Sequence, residues 1–251
     1  MRRQIRRATS LATALLALAT TAGAQQIASE QNRREALQSY RVGQEFLSGE
    51  QFEKAAEQFS KAVQKDGLLT LAHYGLGQSY MALRRYASAA KAYGDCLEAF
   101  KALHSLQQSN RFEVEKQRDD QIKALRENIR SLAQAGQGLR ATQAEARVRD
   151  LERQKTSMEA AFQPPAEVLL ALGSALFRNG DAHGAMLQWE TAIVSNPKLG
   201  EAHNNLAVVY MEAGRLADAE REMKLAETNG YRVNPQFKDD LKSRSKAERP
   251  R

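Results

Sequence analysis

Side chains recur every 34 residues, and this constrains the fold more than any other feature of the sequence. Gly43 returns as Gly77, Phe46 as Tyr80, Phe52 as Tyr86, Ala55 as Ala89, Phe59 as Tyr93 and Ala62 as Cys96. Further along, Leu172, Gly173, Leu176, Ala185, Trp189, Ala192 and Pro197 return as Leu206, Ala207, Tyr210, Ala219, Met223, Ala226 and Tyr231. Within each period the apolar positions have the spacing of two short amphipathic helices. Ser48-Gly49, Leu83-Arg84, Asn179-Gly180 and Ala213-Gly214 fall where the turn between them belongs. Small residues at 43, 77, 173 and 207, and at 55, 89, 185 and 219, let paired helices approach closely. Phe59, Tyr93, Trp189 and Met223 fill the space to the next pair. One pair cannot bury its apolar face alone, so neighbours must stack into a curved array. All five prolines fall between the expected helices, and no run alternates as a half-buried strand would. The expected fold class is all-α.

This pattern of small residue, aromatic, alanine, aromatic and proline over 34 residues resembles the tetratricopeptide repeat (TPR) family, and the fold it implies is a TPR-like α-solenoid. Units are placed at 36–69, 70–103, 166–199 and 200–233, in two tandem pairs. The sequence departs from the family at the first aromatic position, held by Ser39, His73, Leu169 and His203, and only Pro197 fills its proline position. The resemblance implies a concave groove lined by the first helix of each unit. Its residues would be Leu37, Tyr40, Gln44, Leu47 and Ser48, then Leu71, Tyr74, Gln78, Met81 and Ala82. The third unit would add Glu167, Leu170, Ser174, Phe177 and Arg178, and the fourth Glu201, Asn204, Val208, Met211 and Glu212. Such a groove suits an extended or helical segment of a protein partner, with Tyr40 and Tyr74 as anchors. The other reading is that some of these apolar residues pack beneath residues 25–35 or the insertion. The lysine and asparagine with which family members grip a C-terminal carboxylate are replaced by Tyr40 and Gln44.

Residues 104–165 carry no repeat. From Asp95 to Ala135 there is neither glycine nor proline, and the composition is that of a long helix. Ile122, Leu125, Ile129 and Leu132 form one narrow apolar seam. Ala141, Ala144, Val148, Leu151, Lys155, Met158 and Phe162 form a second, with Gly136-Gln137-Gly138 between them. The expectation is a coiled-coil-like antiparallel hairpin projecting from one solenoid, its return arm helical over 139–162, with Phe162 against Phe112 and Met158 near Lys116. It is read either as a solvated spacer or as a site of self-association, making the protein an oligomeric assembly factor. Residues 234–251 are expected to form a capping helix, with Phe237 and Leu241 on one face, and a basic tail frayed from Ser243.

The formal charge of +7 sits at the ends. Arg2, Arg3, Arg6 and Arg7 contribute +4, and Lys238 to Arg251 contributes +3 from six basic and three acidic residues, so residues 8–237 are neutral. Nucleic-acid binding, which requires clustered cations on the folded surface, is therefore not expected. Residues 1–24 run basic, apolar, then small (Ala22-Gly23-Ala24), the order of a secretory signal peptide cleaved after Ala24. This predicts an exported, periplasmic protein in a Gram-negative envelope, without a membrane span after cleavage; the alternative is an uncleaved anchor.

No nucleotide-binding, metalloprotease, dithiol or nucleophile-elbow motif occurs, and neither enzymatic activity nor a cofactor is expected. His73 and His203 share one position in the second and fourth units. They read either as a metal pair or as packing substitutes for the family's aromatic, with the imidazole tip wet. His104 and His183 read as isolated and exposed, and Cys96 as an inert buried thiol.

Overall fold

The computed structural model describes residues 27–153 and 161–248, so the predicted leader lies outside the described residues. Every regular element among them is a helix: α1 (Glu30–Ser48), α2 (Phe52–Lys65), α3 (Thr70–Ala82), α4 (Tyr86–Gln134), α5 (Gly138–Arg153), α6 (Ala166–Arg178), α7 (Ala182–Ser195), α8 (Gly200–Glu212), α9 (Leu216–Thr228) and α10 (Pro235–Glu248). Helices α1/α2, the start of α3/α4, α6/α7 and α8/α9 are the four units. Each packs internally and against its successor, with α4 against α6 and α10 against α9.

Glycine against aromatic is the joint within a unit. A methyl added at Gly43 would lie 2.8 Å from the Phe59 ring, and Gly77 and Gly173 stand in the same relation to Tyr93 and Trp189. Phe59 also abuts Gly75 of the following unit, so one ring closes two joints. The fourth unit keeps the joint with Ala207 buried and Met223 half-buried. The turn inside each unit needs one residue in the left-handed region, and the repeat puts it at Glu50 (φ 57°), Arg84 (φ 58°), Gly180 (φ 90°) and Gly214 (φ 74°). In the first unit Gly49 stands one residue too early, with φ −86°, and Glu50 takes the left-handed position.

α4 serves two purposes in 49 residues. Its first turns bury Ala89, Ala92, Tyr93, Cys96 and Ala99 in the stack, and Tyr93 packs with Leu172 and Ala175 of α6. As far as Asn110 the helix still lies beside Ile27, Ala28 and Arg33, and the 24 residues from there to Gln134 span about 36 Å. Gly136 (φ 69°) turns the chain, and α5 returns along α4 with Ala141, Val148 and Leu151 buried. Arg126 and Glu152 bridge the two helices at 2.8 Å.

The return arm differs from expectation. α5 is described as far as Arg153, residues 154–160 with Lys155 and Met158 lie outside the described residues, and 161–165, expected to be helical up to Phe162, have no regular structure. Phe162 packs on His104, ring centroids 5.3 Å apart, while Phe112 is 69% exposed. The anticipated Phe162–Phe112 contact assumed helix throughout, and a non-helical run into Pro164-Pro165 sets Phe162 further down α4. His104 is accordingly half-buried, whereas His183 is exposed. At the C-terminal end, Pro235 opens α10 with the Asn234 side chain accepting from the Gln236 amide at 2.9 Å. Leu241 is buried and Phe237 packs on the core. The helix continues past Ser243 to Glu248 rather than fraying.

Candidate functional site

The residues expected to line the groove lie on α1, α3, α6 and α8, the first helix of each unit. Leu37, Leu71 and Arg178 are exposed there; Tyr40, Gln44, Leu47, Tyr74, Gln78, Met81, Leu170, Ser174, Phe177, Asn204, Val208 and Met211 are half-buried. Several also serve the stack. Tyr40 leans on Phe59 at 5.8 Å, Tyr74 on Tyr93 at 5.4 Å and Phe177 on Trp189 at 5.8 Å. Burial, and after it the neighbouring Cys96, raises the Tyr74 hydroxyl above its ordinary range, so at neutral pH this ring offers a neutral donor.

A cleft opens between the third and fourth units. Ser174, Phe177 and Arg178 from α6, Trp189 from α7, Glu201, Asn205 and Val208 from α8, and Tyr231 enclose an open cleft of about 540 Å³. The Trp189 indole N–H and the Ser174 hydroxyl both donate to the Leu170 carbonyl, at 3.2 and 2.9 Å. Those donors are committed within the protein, and what remains on the walls is an apolar surface of Phe177 and Val208, with the 2% exposed Trp189 beneath it and the Asn205 amide, Arg178 guanidinium and Glu201 carboxylate around it. Arg178 lies 6.0 Å from the centre of the Tyr86 ring. Sequence reasoning picked out Ser174, Phe177, Arg178, Glu201 and Val208. It missed Asn205, Trp189 and Tyr231, and it chose Asn204, which does not line the cleft. Trp189 belongs to a second helix and was assigned wholly to packing, although its edge reaches the cleft.

α8 is braced from behind. His203 is 4% exposed, its Nε2 lies 3.1 Å from the Pro197 carbonyl and its Nδ1 2.8 Å from Glu222 of α9. A carbonyl oxygen and a carboxylate are both acceptors. The ring therefore donates at both nitrogens, or Glu222 donates at one. The other Glu222 oxygen accepts from Arg221 at 3.2 Å. Arg215 and Arg221 both bond Asp218 and hold its carboxyl below the usual range. Arg215 also covers the Tyr210 ring at 4.2 Å, and the Tyr210 hydroxyl donates to Glu190. His73, in the same repeat position, reaches the Gly67 carbonyl at 2.9 Å, and Ala92 stands where the fourth unit has Glu222. The imidazoles thus tie the inter-unit loop to the first helix, and their tips meet carbonyls rather than water. Among the described residues no group of three or more histidine, cysteine, aspartate or glutamate side chains is placed to hold a metal ion. Likewise none of the described helices is long and apolar enough to cross a membrane.

The tetratricopeptide repeat family model matches residues 40–101 and 170–230. No curated protein matches the sequence. Among solved structures, the chain is similar to the first TPR domain of Spaghetti (RPAP3) bound to an HSP90 peptide, with 13% identity over 72% of this chain and 95% of that one, at a TM-score of 0.44. It is similar to YrrB, a TPR protein with an unusual peptide-binding site, with 17% identity over 85% and 95% at a TM-score of 0.30. A thermophilic TPR protein of Thermus thermophilus shares 15% identity over 84% and 98% at a TM-score of 0.35.

Proposed function

We propose that this chain, a tetratricopeptide-repeat protein over residues 40–101 and 170–230, is a non-catalytic scaffold that holds a segment of another protein in its concave groove. The observation that carries this reading is the cleft between the third and fourth units. An apolar floor of Phe177, Trp189 and Val208 can receive one bulky side chain, while the Asn205 amide can pair with the backbone of an extended segment. The first two units extend the same face with Leu37, Leu71, Gln44 and Gln78. The basic, apolar, small order of residues 1–24 supports export and work in the cell envelope.

Val208→Glu with Asn205→Ala changes the cleft at two half-buried positions and leaves the unit joints alone. Affinity capture from envelope fractions of the producing cell, quantified by mass spectrometry, should lose the specific partners at least about tenfold while circular dichroism stays unchanged. Undiminished capture by this folded variant would remove the groove assignment. Export is tested separately: a chain recovered from the envelope should begin at Gln25, and an intact Met1 in the membrane fraction would show an anchor instead.

A further inference from the structure

The neutrality of residues 8–237 conceals a separation of charge. Residues 121–149, the distal part of the α4–α5 projection, hold six basic and two acidic side chains, net +4. Residues 161–233, the third and fourth units, hold six basic and nine acidic, net −3. Residues 27–120 balance at thirteen of each. Between Glu127 and Glu145 the projection has no acidic residue at all, and at its apex Leu139 is 77% exposed beside Arg140. α5 packs on α4, so this apex stands about 36 Å along the helix from the stack.

The same molecule holds the matching recess. The cleft has an apolar floor for one aliphatic side chain and Glu201 at its edge, with Glu167 and Glu212 exposed on the same helices. Its single lining cation, Arg178, lies against Tyr86. We infer that the apex of one copy docks in the third-and-fourth-unit cleft of a second copy, with Leu139 on the Phe177–Trp189–Val208 floor and Arg140 against Glu201. Shape decides between this occupant and a flat anionic surface. A narrow convex tip with one apolar side chain leaves most of its cations away from a plane, whereas an open recess with an apolar floor and Glu201 at its edge can seat that side chain and face its neighbouring cation. The contact joins two different surfaces, so it propagates head to tail or closes as a reciprocal pair. It rests on the cleft being an open binding site, and it makes self-association and partner capture competitors for one place.

Sedimentation velocity of the protein from about 1 to 100 µM, at about 50 and 500 mM salt, tests it. The expected result is a mass that rises with concentration and falls with salt. Leu139→Asp should weaken association at least about tenfold, and Arg140→Glu and Glu201→Arg about threefold or more each. Arg140→Glu mixed with Glu201→Arg should recover the affinity, because the exchanged charges face each other again. A protein that is monomeric throughout, or exchanged charges that rescue nothing, overturns the inference. Tip variants that associate normally overturn it as well. Partner capture by the Arg140→Glu variant separates the two readings, since that residue is remote from its own cleft: retained capture by a monomeric protein leaves the groove function standing.

Discussion

At the residue scale the repeat allows one position to be judged by its counterparts. The left-handed turn position is Gly180 and Gly214 in the last two units but Glu50 and Arg84 in the first two. A side chain there strains the backbone, so Glu50→Gly and Arg84→Gly should each raise stability by about 0.5–1 kcal/mol in urea titrations. The joints behave oppositely. A methyl at Gly173 would collide with the Trp189 indole, and Gly173→Ala should lower stability by about 1–3 kcal/mol. Cys96 is the residue whose character the sequence predicted most fully. It occupies a small-residue position, is buried, donates to the Thr70 carbonyl at 3.3 Å, and burial pushes its thiol up to about 12. The fold therefore favours the neutral thiol. The stability this lends is present below the ordinary thiol value of about 8.5 and is lost as pH climbs from there towards 12. Alkylation by iodoacetamide at pH 8 should be at least about a hundredfold slower in the native protein than in urea. Native-state labelling at the unfolded rate would show that the thiol is accessible.

Elements were legible wherever a period was present and indistinct where it stopped. The turns expected at 48–49, 83–84, 179–180 and 213–214 separate the two helices of each pair in the structure, because small and bulky side chains at fixed intervals favour one packing. The shaft of α4 was legible from the absence of glycine and proline, and its end from Gly136. The far end of the return arm was not, since the apolar seam continues in sequence to Phe162 while residues 161–165 are not helical. A seam specifies which face is buried, and it does not oblige the backbone to stay helical into a Pro-Pro pair. The cleft was half legible: groove positions on first helices follow from the repeat, but Trp189 and Tyr231 reach it from elements the repeat assigns to packing. Glu222 was hidden among surface-looking carboxylates on α9, and only the structure shows it buried against His203. Val148 is buried midway along α5, and Val148→Asp should release that helix. Hydrogen exchange should then lose protection over 138–153 and keep it over 166–228.

For the whole molecule, the contact of α4 with α6 matters most. Tyr93, Leu172 and Ala175 form a buried cluster between the second and third units, so the interruption in sequence is not an interruption in packing. Stacked repeats are stabilised by nearest-neighbour interfaces, and a continuous stack should unfold as one unit. Trp189 is the chain's single tryptophan and reports on the third unit, whereas far-ultraviolet dichroism reports on every helix. The two urea midpoints should coincide in the wild type. Leu172→Ala at the junction should cost about 2–4 kcal/mol and move both together. Midpoints that separate in the wild type would mean that the two tandem pairs are independent bodies.

One geometric property of α4 bears on how the family of shapes available to this chain can change. The repeat helix and the projecting shaft are a single unbroken helix, so nothing swivels between them, and the compass bearing of the apex is locked to the screw of the backbone. Each residue added between Phe112 and Glu113 would turn that bearing by about 100° and advance it by about 1.5 Å. A seven-residue addition would bring it back to within about 20° of its original heading. Length differences of seven along this stretch therefore preserve the direction in which the apex faces, and differences of one or two redirect it to another quadrant without touching a single residue of the stack.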